Sequence, residues 1–444
     1  MKKKYDTDEA FNIHILNILK DYEAIVLHGY EEYPERIKSD VDVIVTVEGL
    51  QKWNKALTQE DLEVVQHLEH EATGHFYVIS ADVGGEDRFV AIDLATDYRR
   101  NGRIFYSGEE FYGKRRFYKD FIPVAPTNLE FGYYLVKKVA KGILTNEHQE
   151  YLSRLWQRDP EGCRQQVARF FKGSEDAMVC SACQYNDWIH VTKYLNTLRT
   201  SLLTTPRTDQ PADRLRYIQQ NATRIARRIS HPTGLVIAFL GPDGAGKSTI
   251  IAGISKDLQP VFRSVQHFHL TPLKRARPGG AGLDVTNPHG ARAKSRWASL
   301  AQLGYWFASY TGGYAAVILP RKIRSSLIVF DRYYYDLLID PKRYRFRGPS
   351  SLVHLVGKWI PKPDLTFVLD VPADVLQQRK QEVPFEESQR QREEYRKLAA
   401  ELGAHIVDAD RSVEEVVGNI NGIILEYMER RVRRRFRSAL FFRS

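Results

Sequence analysis

The chain has 444 residues, with 65 Lys and Arg against 55 Asp and Glu and a formal net charge of +10. Hydrophobic residues at 43% and charged residues at 27% are ordinary globular proportions, which excludes a mainly disordered, collagen-like or integral membrane chain. The length predicts two or three folded units, and the basic excess points to an anionic partner without naming its class.

From the N-terminus, Met1-Lys2-Lys3-Lys4 has no apolar stretch behind it, so no secretory signal is expected. Short runs rich in β-branched residues follow: Ala24–Leu27, Val41–Val45 and Phe89–Leu94. Each is bounded by turn formers and reads as a strand, giving an α+β domain over residues 1–125. Alternation places Asp40 and Asp42 on one side of a strand, and Asp93 could add a third carboxylate from a neighbour. Such a trio can share divalent cations for in-line displacement at phosphorus. With His28-Gly29 upstream, this pattern resembles the nucleotidyltransferase superfamily, although Tyr30 stands where that family has Gly or Ser. The plain alternative is a polar strand edge with solvated aspartates.

Residues 126–232 read as a helical connector, with one amphipathic stretch at Phe131–Val139 and an arginine-rich one at Ala212–Ile229. The three cysteines are Cys163, Cys180 and Cys183. A single CxxC with only His190 nearby lacks the four ligands of a zinc site, so ordinary thiols and a reducing, cytoplasmic compartment are expected. The loop Thr204–Pro211 and the punctuation His231-Pro232-Thr233-Gly234 then lead into an apolar strand, Leu235–Leu240.

Directly after that strand stands Gly241-Pro242-Asp243-Gly244-Ala245-Gly246-Lys247-Ser248-Thr249, followed by an apolar helix. Strand, glycine-rich loop and helix in this order form a phosphate cradle, in which backbone N–H groups face the phosphate oxygens. Lys247 can reach the β and γ phosphates and the Ser248 hydroxyl can bind Mg²⁺. Trp297–Pro320 carries no charge over a length that could span a bilayer. Its Leu300, Leu303, Phe307, Tyr310, Tyr314 and Val317 recur at helical steps and predict one buried face of a core helix. The strand Leu327–Phe330 runs into Asp331-Arg332-Tyr333, and Leu365–Leu369 ends at Asp370. At strand ends of an open parallel sheet, Asp331 can organise Mg²⁺ and Arg332 can stabilise the transferring phosphoryl group, a surface salt bridge being the plain alternative.

Together these pieces resemble the thymidylate kinase family of P-loop kinases over about residues 235–428. The resemblance rests on Gly241–Thr249, Asp331-Arg332-Tyr333, Pro363-Asp364-Leu365 and the later Arg379, Arg390, Arg392 and Tyr395. It implies an α/β fold with a parallel P-loop sheet and flanking helices over 233–428, ATP and Mg²⁺ as cofactors, and kinase activity. It also implies a mobile lid over Val375–Arg396, whose Arg379, Arg390 and Arg392 close over the phosphates. Interleaved glutamates make an exposed, paired helix face the competing reading of those arginines. Asp243 matches the family's carboxylate that contacts the acceptor sugar. The Arg and Gln with which the family holds thymidylate fall on Tyr310 and Gly312, so an acceptor other than dTMP is expected, such as a small molecule, a glycan or a lipid-linked sugar.

The basic tail, 429–444, is a candidate for peripheral contact with the inner face of a membrane. Residues 426–444 hold seven Arg and two Glu, and Lys2–Lys4 add three charges, so most of the excess sits at the two ends. No specific nucleic acid is expected, and a homodimer is left open. Nucleotidyl transfer at Asp40, Asp42 and Asp93, and a non-catalytic nucleotide-gated adaptor, stand as the alternative functions.

Overall fold

The computed structural model of the chain describes residues 3–59, 62–100, 102–204, 211–273, 292–379 and 383–437. Two compact units emerge, one of residues 1–226 with 429–444 and the other of residues 227–428.

The first unit is built on ten short strands: β1 (Lys4–Tyr5), β2 (Ile25–Val26), β3 (Val41–Ile44), β4 (Glu63–Glu69), β5 (Gly74–Val83), β6 (Glu86–Ala95), β7 (Asp97–Arg100), β8 (Arg103–Ser107), β9 (Arg116–Tyr118) and β10 (Ile122–Val124). Eight of them form a mixed sheet in the order β1-β5-β6-β3-β2-β10-β9, with β4 also on β5, while β7 and β8 pair separately. Residues alternate between its faces. Val26, Val43, Ile92 and Leu94 pack with Phe11, Ile15 and Leu16 of the helix Asp8–Asp21 and with Trp53. Ile25, Leu27 and Ile44 turn the other way, onto the helices Thr127–Lys141 and Asn146–Arg158. The helical stretch after residue 126 therefore shares this unit's core rather than standing free as a connector. All three cysteines are free thiols, and Cys163 and Cys183 are buried among these helices. Residues 429–437 are the last turns of the helix Val413–Arg437, and Val432 and Phe436 belong to the first unit's core, so this part of the tail is folded. Residues 438–444, with Phe441 and Phe442, lie outside the described residues.

The second unit holds β11 (Leu235–Leu240), β12 (Ser264–His269), β13 (Ser326–Asp331), β14 (Leu365–Asp370) and β15 (His405–Asp408), all parallel, in the order β12-β13-β11-β14-β15. All six residues of β11 are buried, as a central strand covered on both faces requires. The uncharged stretch forms the helix Arg296–Gly313 and continues through a π-turn at Tyr314–Ile318. Its buried face is Ser299, Leu303, Trp306, Ser309, Tyr310 and Gly313. Phe307, expected inside, is exposed instead. Leu303 and Tyr310 are buried as expected and Tyr314 and Val317 pack against the core, so the spacing found the face but misplaced Phe307, with no charged residue to mark its polar edge.

Candidate functional site

The first candidate site grows from the end of β11. Gly241 adopts φ +144°, and a Cβ there would meet the Leu369 carbonyl oxygen at 3.0 Å, so the loop's entry admits only glycine. Gly246, at φ +81°, turns the chain into the helix Lys247–Asp257. Gly244 and the buried Ala245 complete the curl, and Ser248 and Thr249 face solvent at the helix start. Lys247 is buried and donates to the Gly241 and Pro242 carbonyls at 2.8 Å each, which aims its ammonium into the loop. Burial, then the neighbouring Arg332, lowers its pKa.

Asp331 ends β13 in register with Phe239 of β11 and His269 of β12. Its Oδ1 is buried without a hydrogen-bond partner. A carboxylate oxygen left unmatched is costly unless a cation completes it. Arg332 holds a left-handed backbone, φ +68°, fixed by its N–H bond to the Phe239 carbonyl at 3.0 Å. Its guanidinium, 4% exposed, bridges Asp243 of the glycine loop and Asp336, the latter at 2.6 Å. Asp336 is fully buried and accepts further bonds from Tyr344 at 2.6 Å and from Tyr395. Burial alone would raise its pKa, but Arg332 and the two phenols bring it below the ordinary carboxylate value. Arg343 donates to the second oxygen of Asp243. Loop, strand end and the segment after it are thus tied through Asp243.

Sequence reasoning placed Asp331 and Arg332 at a strand end beside the glycine loop, where they lie, but did not single out Arg343, Asp336 and Tyr344. Asp336 had a signal, four residues after an arginine at helical pairing distance, whereas Arg343 becomes visible only through the fold. The lid arginines are brought neither to the loop nor to one another. Arg379 donates to the Ala409 carbonyl at 3.3 Å and pairs with Asp410 at 3.7 Å. Arg390 pairs with Glu387 at 2.6 Å and donates to the Ile339 carbonyl, and Arg392 grips both oxygens of Asp370 at 2.6 and 2.9 Å. Tyr310 is buried, donates to the Leu270 carbonyl and packs edge-on to Tyr333 and Tyr334. Nothing approaches the Cβ position of Gly312 within 4 Å.

The second candidate site lies in the first unit. The parallel pairing of β3 with β6 sets Asp42 in register with Asp93. Asp40, Asp42 and Asp93 each offer a carboxylate oxygen within 4.8 Å of the other two. A lysine and two histidines are already seated there. Lys137 Nζ lies 2.8 Å from Asp42 Oδ1, His28 Nε2 lies 3.0 Å from Oδ2, and His70 Nε2 lies 3.4 Å from Asp93. Burial works against Asp42, but His28 and Lys137 outweigh it and lower its pKa. Asp93 goes the other way: burial, with the charges of Asp42 and Asp40, pushes it up to about 7. Tyr30 is a buried core residue, bonded at 2.8 Å to Glu130, which is itself inaccessible.

A five-stranded parallel sheet, a glycine-rich loop after its central strand and an Asp-Arg pair ending the neighbouring strand define a P-loop nucleotide-binding domain. Residues 239–420 match the thymidylate kinase family model. The chain is similar to the thymidylate kinase of Xanthomonas campestris pv. campestris (strain B100), 24% identical over 213 residues, covering 46% of this chain and 88% of that one. A probable thymidylate kinase of Pyrobaculum aerophilum is 28% identical over 204 residues, covering 42% of this chain and 95% of the relative. The solved thymidylate kinase of Ehrlichia chaffeensis is 19% identical, covers 43% of this chain and 98% of its own, and has a TM-score of 0.31. The second unit thus has a thymidylate kinase-like P-loop fold, and the family similarity supports a kinase that transfers a phosphoryl group from a nucleotide.

Proposed function

We propose that the chain catalyses ATP- and Mg²⁺-dependent phosphoryl transfer to a phosphate- or hydroxyl-bearing acceptor other than dTMP. The observation that carries the donor half is the unmatched Asp331 Oδ1 within electrostatic reach of Lys247 at the mouth of the glycine loop. Asp331 and Ser248 would hold Mg²⁺, which neutralises charge on the donor phosphates. Lys247, bonded to two of its own loop's carbonyls, would exchange them for phosphate oxygens, which bind an ammonium more strongly. Arg332, locked by Asp336, would present a fixed cation to the transferring group, and such preorganisation stabilises developing charge without reorientation. Arg379, Arg390 and Arg392 would complete the site only by leaving their local partners, at little cost for Arg379 on the exposed Asp410 and at more for Arg392, bidentate on the largely buried Asp370.

The acceptor half rests on Tyr310 and Gly312. A phenol committed to the Leu270 carbonyl and a residue without a side chain supply neither the cation nor the amide that would read a thymidylate. A small molecule, a glycan or a lipid-linked sugar is the proposed acceptor class. The test uses ATP labelled separately at the γ and α phosphates, offered with dTMP, a hexose and a hexose phosphate. Label is expected to leave the γ position, with at least about tenfold preference for a non-dTMP acceptor. Lys247→Ala should cut transfer by about 100-fold or more, as loss of a charge-stabilising donor does. Preferred transfer to dTMP would sink the acceptor half alone.

One observation favours a second reading: the convergence of Asp40, Asp42 and Asp93. Transfer of α label to an acceptor, with pyrophosphate leaving from the β and γ positions and the reaction abolished by Asp42→Asn, would establish nucleotidyl transfer. Because Lys137 and His28 occupy both oxygens of Asp42, the kinase reading leads. Transfer of neither label would leave a nucleotide-gated adaptor.

A further inference from the structure

The helix Arg296–Gly313 has a water-facing side that no soluble helix ordinarily shows. Its inner face is packed, as described above. Its outer face, Trp297, Ala298, Ala301, Gly304, Tyr305, Ala308 and Gly312, is exposed throughout, with Trp297 at 82% and Tyr305 at 51%. Charged residues normally occupy that side. Here none occurs between Trp297 and Pro320. A bare apolar face with large aromatics implies a covering partner.

The charges at its two ends say which partner. Residues 292–330 contain six cations, Arg292, Lys294, Arg296, Arg321, Lys322 and Arg324, and no Asp or Glu. Lys322 is matched by Asp364 at 2.7 Å, but Arg292, Arg296 and Arg324 are exposed. Two more exposed arginines join the first end. The Arg345 side chain donates to the Arg292 carbonyl at 2.8 Å, and the Arg347 backbone N–H donates to Ser299 Oγ at 2.9 Å. A second copy of the chain is a poor occupant. Whether two such helices paired parallel or antiparallel, arginine-bearing ends would meet arginine-bearing ends, with no acid on the segment to separate them. Nor is this a bilayer-spanning element: among the described residues no helix is long and apolar enough to cross a membrane.

We propose that this face docks in the plane of an anionic lipid surface. Trp297 and Tyr305 sit at the headgroup boundary, where amphipathic rings are favoured, and the small residues between them let the helix lie close. Arg292, Arg296, Arg345 and Arg347 at one end and Arg324 at the other face the lipid phosphates, an attraction that weakens with salt.

The experiment uses the full chain with vesicles of phosphatidylcholine alone or with about 30% phosphatidylglycerol, a typical anionic surface. Co-sedimentation is expected at least about tenfold more tightly on the anionic vesicles, and Arg292→Glu with Arg296→Glu should remove that preference. Lipids brominated near the headgroup should quench part of the tryptophan fluorescence. That part should vanish in Trp297→Phe, which keeps the site apolar and foldable. Absence of vesicle binding overturns the proposal. So does quenching that persists unchanged in Trp297→Phe, since contact would then lie on another surface. Light scattering showing a dimer that Tyr305→Asp makes monomeric, with vesicle binding unaltered, would assign the face to a second copy instead.

Discussion

Arg332 and Asp336 show how much one buried pair can determine. Asp336 is wholly inaccessible and balances a guanidinium that is 4% exposed, while Tyr344 and Tyr395 satisfy its remaining lone pairs. Removing the charge of one partner leaves the other buried and unmatched, which typically costs about 3–5 kcal/mol. Asp336→Asn is therefore expected to lower the unfolding free energy of the second unit by that much, while Glu394→Gln, facing the exposed Lys397, should cost far less, since exposed pairs contribute little. Equal losses in urea titrations would contradict this account. Asp93 supplies a pH dependence. Its pKa, up from 3.8 to about 7 by burial and by Asp42 and Asp40, means that the folded state holds a proton the unfolded chain releases. Stability from this group is full below pH 3.8 and is lost as pH rises through about 7. Asp93→Asn, neutral at every pH, should melt about 2–4 °C above the parent at pH 8 in EDTA, roughly 1 kcal/mol, and level with it near pH 4. A difference independent of pH would refute the assignment. At this scale the sequence was readable where a residue ends a strand, as Asp331 and Arg332 do. Lys137 and Arg343 come from elements distant in sequence, and only the fold carries them to Asp42 and Asp243.

At the scale of elements, strand periodicity and loop chemistry were the legible signals. Alternation over two short strands anticipated the carboxylate trio, and the parallel register of β3 on β6 realises it by putting Asp42 opposite Asp93. The glycine loop was legible because its backbone angles admit few other residues. In the uncharged stretch the buried face was legible at Leu303 and Tyr310 but not its edge at Phe307, because apolar and aromatic side chains stand on both sides and hydrophobicity alone cannot choose between Trp306 and Phe307. The choice has an energetic consequence. Trp306 is 5% exposed and packs edge-on to Tyr334 and Tyr344, whereas Phe307 is 39% exposed. Trp306→Ala should cost about 3–5 kcal/mol in chemical denaturation, as large-to-small core changes do, and Phe307→Ala under about 1. The reverse order would restore the burial of Phe307 expected from sequence.

For the whole molecule, phosphate chemistry is proposed for the P-loop unit and, as the second reading, for the carboxylates of the first unit, and ligand binding can report which is used. The P-loop unit offers an empty carboxylate oxygen at Asp331, whereas in the first unit Lys137 and His28 already occupy Asp42. A cation or nucleotide must displace those partners to enter the first unit but displaces no side chain from Asp331. A non-hydrolysable ATP analogue with Mg²⁺, at about 100 times its dissociation constant, stabilises the state that binds it by about 2.7 kcal/mol. Hydrogen exchange resolves where that stabilisation falls. Amides of 241–249 and 331–336 are expected to slow by up to about 100-fold, the exchange equivalent of that energy, while those of 41–44 and 91–94 stay unchanged. Lys247→Ala should abolish the protection, since its ammonium is the buried cation that the phosphates replace loop carbonyls to reach. Protection that appears at 41–44 and survives Lys247→Ala would put the nucleotide on the carboxylates of β3 and β6 and transfer the leading role to the first unit.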